Sequence, residues 1–198
     1  SSDIANNDYI EQYEKFLKTT AEKMQRAGSP YGYVSMGSTI VCTAEAYCAV
    51  GGMPRKKTTE DFYFLQELTK YCGVHNIPDI LVFPSPRPIS RVYLGTGFRM
   101  EQMQNGFDLA KLYYSEGAFG YLSQWLQLGS HAWEVNLKDL FNNISTIHPN
   151  LVEFLKLEAI EDIWSKIQKN APSELHFTEQ FHRWFDGLKT IRFLKRFT

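Results

Sequence analysis

From about Asp108 to the carboxyl terminus, apolar residues recur at three- and four-residue steps with only short breaks, and strand signals vanish. Such a chain must bury helical stripes against one another, which limits this part to helix-on-helix packing. The spacing predicts helices over 109–114, 119–128, 133–144, 150–168 and 173–198. Upstream, the pattern is mixed. Tyr9, Tyr13, Phe16, Leu17, Ala21 and Met24 mark an amphipathic helix that stops at Gly28-Ser29-Pro30. The aromatic and β-branched residues of 31–41, broken by Gly32 and Gly37, read as two short strands or extended segments. A brief helix over 43–50 is closed by Gly51-Gly52. Thr58 or Thr59 then caps a helix that carries Glu60 and Asp61 in its first turn and runs to about Cys72. A strand over 80–83 and an ordered, Pro- and Gly-punctuated loop over 85–97 complete the reading. The expectation is an α+β chain, predominantly helical, with a composition shift at 105–108 that separates residues 1–105 from a helical appendage, 106–198.

Composition narrows the function classes. A chain of 198 residues can bury a substantial core without staples. Its 43% hydrophobic and 22% charged residues, with no apolar run long enough to span a bilayer, fit a globular chain expected in the cytoplasm. Lys and Arg total 21 against 22 Asp and Glu, so no overall basic footprint invites nucleic acid. Cys42, Cys48 and Cys72 lack paired metal-ligand spacing and read as reduced, mostly buried thiols. His75, His131, His148, His176 and His182 have no common spacing that would place them on one metal, and no metal ligand is assigned in this chain.

The chemistry-bearing stretch runs from Gly37-Ser38-Thr39-Ile40 through Ala46-Tyr47 to GGMPRKKTTEDFYFL, Gly51 to Leu65. In this order it resembles the second half of family-2-type glycosyltransferases with the GT-A fold. There a strand and small helix lead to a Gly-Gly turn, a polar loop and an acidic pair opening a helix. The following PSPRPISRVYLGTG, Pro84 to Gly97, looks like the next segment in a bacterial branch of that family. The resemblance covers 35–97. It implies that the strands are a remnant of the transferase mixed sheet, and that Asp61 is the general base, with Glu60 beside it orienting the loop or contacting the acceptor. Glycosyl transfer to a hydroxyl needs a carboxylate within hydrogen-bond reach of the acceptor proton. Acidic residues in a first helical turn also have an ordinary use, complementing the helix dipole and its unpaired N–H groups.

Gly51 and Gly52 are placed at the substrate side by the same resemblance, and a helix-ending turn accounts for them equally. Arg87 and Arg91 suit bidentate contact with a diphosphate leaving group or an anionic acceptor; pairing with Glu60, Asp61 or Asp79 is the structural alternative. Gly95-Thr96-Gly97 reads as a turn. The family resemblance also implies a nucleotide-sugar donor, a glycan or lipid-linked acceptor and a divalent metal, Mg or Mn, in a full-length parent. This sequence has no Asp-x-Asp to hold that metal, so none is expected here and the chain alone should bind nucleotide-sugar weakly or not at all. It is expected to be either a shortened piece or a stand-alone remnant.

Gln180, Arg183 and Trp184 match a Gln-x-x-Arg-Trp pattern of processive polysaccharide synthases, but lie far downstream of the acidic pair. Trp184 with Phe181, Leu188 and Ile191 also makes an ordinary apolar helix face. The tail interleaves Lys189, Arg192, Lys195 and Arg196 with Ile191, Phe193, Leu194 and Phe197. It reads as a terminal helix with a solvated basic face, or as a surface that rests on anionic lipid and gives membrane association. An uncovered sheet edge would invite dimerisation. Outside enzymes, the alternatives are a non-catalytic helical interaction module and a membrane-surface adaptor.

Overall fold

The computed structural model describes residues 2–35, 39–56, 58–77, 79, 82 and 95–198, with side chains from Asp8 onward. Helices dominate. They are α1 (Ser2–Arg26), α2 (Ala44–Ala49), α3 (Glu60–Cys72), α4 (Thr96–Gln104), α5 (Glu116–Ser130), α6 (Leu137–Ser145), α7 (Leu151–Leu157), α8 (Ile160–Asn170), α9 (Glu174–Trp184) and α10 (Gly187–Phe197), with a 3₁₀ turn at Leu109–Leu112 between α4 and α5. No strand occurs among the described residues. The chain divides into two compact units, one comprising Ser1–Glu22 and Tyr31–Tyr113, the other Lys23–Pro30 and Tyr114–Thr198.

In the first unit, α2 lies on α3. Ala46, Phe64, Leu65 and Leu68 form the buried cluster, with Tyr33, Ile40, Val50, Met53 and Val74 packed around it. Among the described residues of 31–41, those expected to form strands are spent otherwise. The N–H of Tyr33 donates to the carbonyl of Tyr31 at 3.0 Å, a three-residue turn that a ladder cannot contain. Tyr31 is buried, and the amide of Asn76 donates to the carbonyl of Gly32 at 3.2 Å. Aromatic content therefore marked burial here and not pleated pairing. Of the strand expected over 80–83, only Val82 lies within the described residues, and it is not in a strand. Glycines close the helices: Gly51 N–H reaches the Cys48 carbonyl and Gly52 N–H the Tyr47 carbonyl, and Gly28-Ser29 and Gly106-Phe107 repeat this pairing after α1 and α4.

The cysteines correct the sequence reading, because all three are exposed. Helix α2 buries only Ala46, which leaves Cys48 on its outer side, and Cys72 ends α3 beside Gly73. Helix α4 was not legible either. Its N-cap position is Gly95 at φ 104, so Thr96 and Gly97 open a helix and do not make a turn.

The second unit is a packed bundle. Ser115, Asn136, Ser173 and Asp186 each accept a first-turn N–H through their side chains, starting α5, α6, α9 and α10. Helix α5 packs against α9 and α10. At their meeting, Trp125 is fully buried, with ring centroids of Phe181 at 5.4 Å and Phe185 at 5.7 Å, both edge to face. Trp164 donates its indole N–H to the Val135 carbonyl at 3.0 Å, and Gln168 donates to Trp133 and Val135 carbonyls, tying the segment before α6 onto α8. The long helix expected over 150–168 is two helices, because Ala159 takes left-handed φ 62, ψ 36. That conformation costs an L-residue roughly 1–2 kcal/mol, which burial of Leu155 and Ile160 on either side offsets.

Two stability outcomes follow from this bundle. A Cβ at Gly129 would sit 2.6 Å from the Phe181 ring, so Gly129→Ala should destabilise by about 1–3 kcal/mol, read as a lowered urea midpoint at unchanged slope. Burial lowers His182 to about 4. The unfolded imidazole, near 6.5, takes a proton that the folded one refuses, so stability present above pH 6.5 is lost as pH falls from about 6.5 through about 4. The loss should be roughly 2 kcal/mol between pH 7 and pH 5 and be largely absent in His182→Gln when melts at those two pH values are compared.

Candidate functional site

Helix α3 begins at Glu60, and its residues Phe64, Leu65 and Leu68 anchor it in the first unit's core. The first turn therefore projects from a rigid element. The expected side-chain cap is not made: Thr59 occupies the N-cap position but sits at φ 62, ψ 17, and its hydroxyl donates to the Thr58 carbonyl at 2.6 Å. A β-branched residue in the left-handed region is strained. Asp61 takes over the capping work, accepting the Phe62 N–H on Oδ1 at 2.7 Å. Its other oxygen makes no hydrogen bond among the described residues, and none of their ion pairs includes it. Asp61 and Glu60 are both half-buried.

One residue that the sequence reading did not assign to this site, Tyr13, feels the Asp61 charge, and a second, Arg99, acts on the same phenol. The phenol of Tyr13 on α1 is raised above its ordinary value by burial; the Arg99 charge opposes this and the Asp61 charge adds to it. Tyr13 is thus a neutral hydroxyl at physiological pH, flanked by one anion and one cation. Arg99 itself is held on α4 by Gln102, its Nη1 donating to Oε1 at 2.6 Å, and its guanidinium faces the rings of Phe98 at 5.8 Å and Phe107 at 5.9 Å. No short sequence pattern links Tyr13, Asp61 and Arg99, because three different helices deliver them.

Gly51 and Gly52 lie upstream of this turn at φ 78 and φ 75. Both glycines have a complete structural role in closing α2. Arg87 and Arg91 lie outside the described residues, as does Gly37. Among the described residues, no group of three or more His, Cys, Asp and Glu side chains could hold a metal ion.

The downstream motifs are built into the second unit. Trp184 donates its indole N–H to the Glu158 carbonyl at 3.3 Å and packs on Phe181 and Phe185, while Gln180 lies 3.4 Å from the His176 ring. In the basic tail, Phe193 and Leu194 are buried, Arg192 pairs with Glu158 at 3.2 Å, and Arg196 pairs with Glu153 at 3.7 Å. The apolar face of α10 is thereby used within its own unit. Among the described residues no helix is long and apolar enough to cross a membrane.

Compared with protein-family models, curated proteins and solved structures, the chain matches none. The turn before α3 can be tested directly. A Cβ at Gly52 would meet the Tyr47 ring at 2.9 Å and hold a left-handed conformation as well. Gly52→Ala should destabilise the first unit by about 1–3 kcal/mol. Adding Tyr47→Ala should fail to restore it fully, because the backbone strain remains; hydrogen exchange of α2 and α3 amides reads the difference.

Proposed function

We propose that this chain is the acceptor-side, carboxyl-terminal part of an inverting, nucleotide-sugar-dependent glycosyltransferase of the family-2 type, with Asp61 as the base. The observation that supports it most is the backbone of the turn. Thr59 is held in a strained left-handed conformation immediately before the acidic pair, and such strain persists where surrounding structure imposes it, often at functional sites. The pair it introduces is half-buried, and one oxygen of Asp61 makes no hydrogen bond among the described residues. This coincides with the residues, Gly51 to Leu65, that resemble the family's Gly-Gly turn and acidic helix start.

In this reading Asp61 takes the proton of an acceptor hydroxyl. The oxygen attacks the anomeric carbon, its new bond forms as the bond to the diphosphate breaks, and the nucleoside diphosphate leaves with the electron pair. Glu60 orients the turn or touches the acceptor. Arg87 and Arg91 would meet the diphosphate or an anionic acceptor. The described residues do not fit a divalent metal, since they offer no cluster of ligands for one, and no step is assigned to it. A donor half with its own metal site belongs to the full-length parent that this reading requires.

A second reading, a non-catalytic helical interaction module, is favoured by the lack of any strand among the described residues. The two separate on one measurement. In the full-length parent, Asp61→Asn should lower nucleoside diphosphate release from a nucleotide-sugar panel by about a hundredfold or more, with KM little changed and the melting temperature preserved. Unchanged turnover would remove Asp61 from the mechanism. No transfer by the wild-type parent with any donor would favour the module.

A further inference from the structure

The first unit contains an open cleft of about 400 Å³ between α1 and the segment that joins α4 to α5, within the size range of small-molecule sites, about 300–1,000 Å³. Tyr9, Phe107 and Tyr113 give it aromatic walls. The walls are braced from behind: Tyr113 meets Phe16 edge to face at 5.1 Å, and Phe16 stacks on Tyr13 at 6.1 Å. Gln12, Lys15 and Asp108 supply its polar groups. Asp108 already caps the 3₁₀ turn, accepting the Ala110 N–H at 2.9 Å, while Lys15 forms no ion pair among the described residues.

The mixture selects a ligand class. One ammonium and one carboxylate face the same space, so a net anion meets Asp108 and a net cation meets Lys15, and neither gains from both. A neutral ligand with hydroxyls can donate to Asp108 and Gln12 and accept from Lys15 and Gln12. Aromatic rings present an electron-rich face to the weakly positive C–H bonds on one side of a pyranose ring. A flat apolar face with polar edges is what a sugar ring offers and what this cleft complements.

We propose that this cleft is a carbohydrate subsite that holds one neutral pyranose ring against Tyr9, Phe107 and Tyr113. Its role as a subsite for the acceptor glycan rests on the glycosyltransferase reading; sugar binding itself does not. Phe107 connects the two regions, because the guanidinium of Arg99, which acts on Tyr13 together with Asp61, lies over its ring. The subsite would hold a ring of the acceptor that is not itself reacting.

Saturation-transfer NMR of the 198-residue chain with methyl β-glucoside and methyl N-acetyl-β-glucosaminide, with inorganic phosphate and a nucleoside monophosphate as competitors, tests this. Transfer should appear on the axial C–H protons of at least one glycoside, resist both competitors, and fall at least fivefold in Tyr113→Ala and in Gln12→Ala. Gln12 is exposed, so its substitution leaves the packing of α1 intact and covers the case in which Tyr113→Ala loosens the unit. Absence of transfer from both glycosides at millimolar concentration, displacement by phosphate or the nucleotide, or full retention in folded Gln12→Ala would each overturn the subsite. Asp61→Asn should leave glycoside binding unchanged. If that variant of the parent keeps full transferase activity while glycoside still binds, the base assignment fails and the subsite stands.

Discussion

The second unit depends on the contact of Phe181 with the backbone of α5 at Gly129. The space that a methyl group would occupy is filled by the edge of a ring, and Trp125 closes the same gap from the helix's own side. Close-packed interiors transmit such a constraint, because moving one ring displaces the next. Trp125 touches Phe181, Trp184 and Phe185, and Phe185 meets Phe193 at 6.2 Å, so α5, α9 and α10 are locked in one aromatic array. The single missing Cβ at position 129 therefore sets how near α9 approaches α5.

The first unit is held differently. The cluster under α2 and α3 is Ala46, Phe64, Leu65 and Leu68, to which α2 contributes only Ala46, leaving Val41, Tyr47 and Tyr71 well exposed; Ile10, Met100, Met103 and Leu109 are buried elsewhere in the unit. Around the start of α3, backbone devices add to this packing: the paired glycine turn after α2, the strained Thr59, and Asp61 as substitute cap. These devices act at one end of α3, where the acidic pair is. The helix supplies rigidity from its buried face, and the turn supplies orientation.

The two units also differ in how far they could be read from sequence. In the second, helical spacing located every helix, since each has an apolar stripe and most have a Ser, Asn or Asp ahead of the first turn. The breaks were harder. Ala159 favours helix intrinsically and gives no hint that it will adopt φ 62, whereas Asp186 before Gly187 was a readable start signal within a run taken as continuous. In the first unit, the ends of α2 and α3 were legible from glycines, but aromatic residues in 31–41 resembled strand because burial and pleating favour the same side chains. Cysteines were expected inside on average behaviour; a short α2 that buries only Ala46 leaves Cys48 outside, and Cys42 before it and Cys72 at the end of α3 are exposed as well. For the candidate site, Asp61 was visible as a residue type at a helix start. Tyr13 and Arg99 were not, since only tertiary folding brings α1 and α4 to the same side chain.

That arrangement bears on what Asp61 can do. A carboxylate whose two oxygens were both spent on first-turn N–H groups would be a cap and nothing else. Here Phe62 takes one oxygen, which fixes the plane of the carboxylate and leaves the second directed by that plane. The Asp61 charge is felt at the Tyr13 hydroxyl, whose pKa is raised by burial, opposed by Arg99 and added to by Asp61. Arg99, whose charge acts on the same phenol, is oriented by Gln102 and two aromatic rings. A carboxylate that accepts Phe62 N–H with one oxygen and makes no hydrogen bond with the other among the described residues is compatible with the proposed base and with a first-turn cap alike.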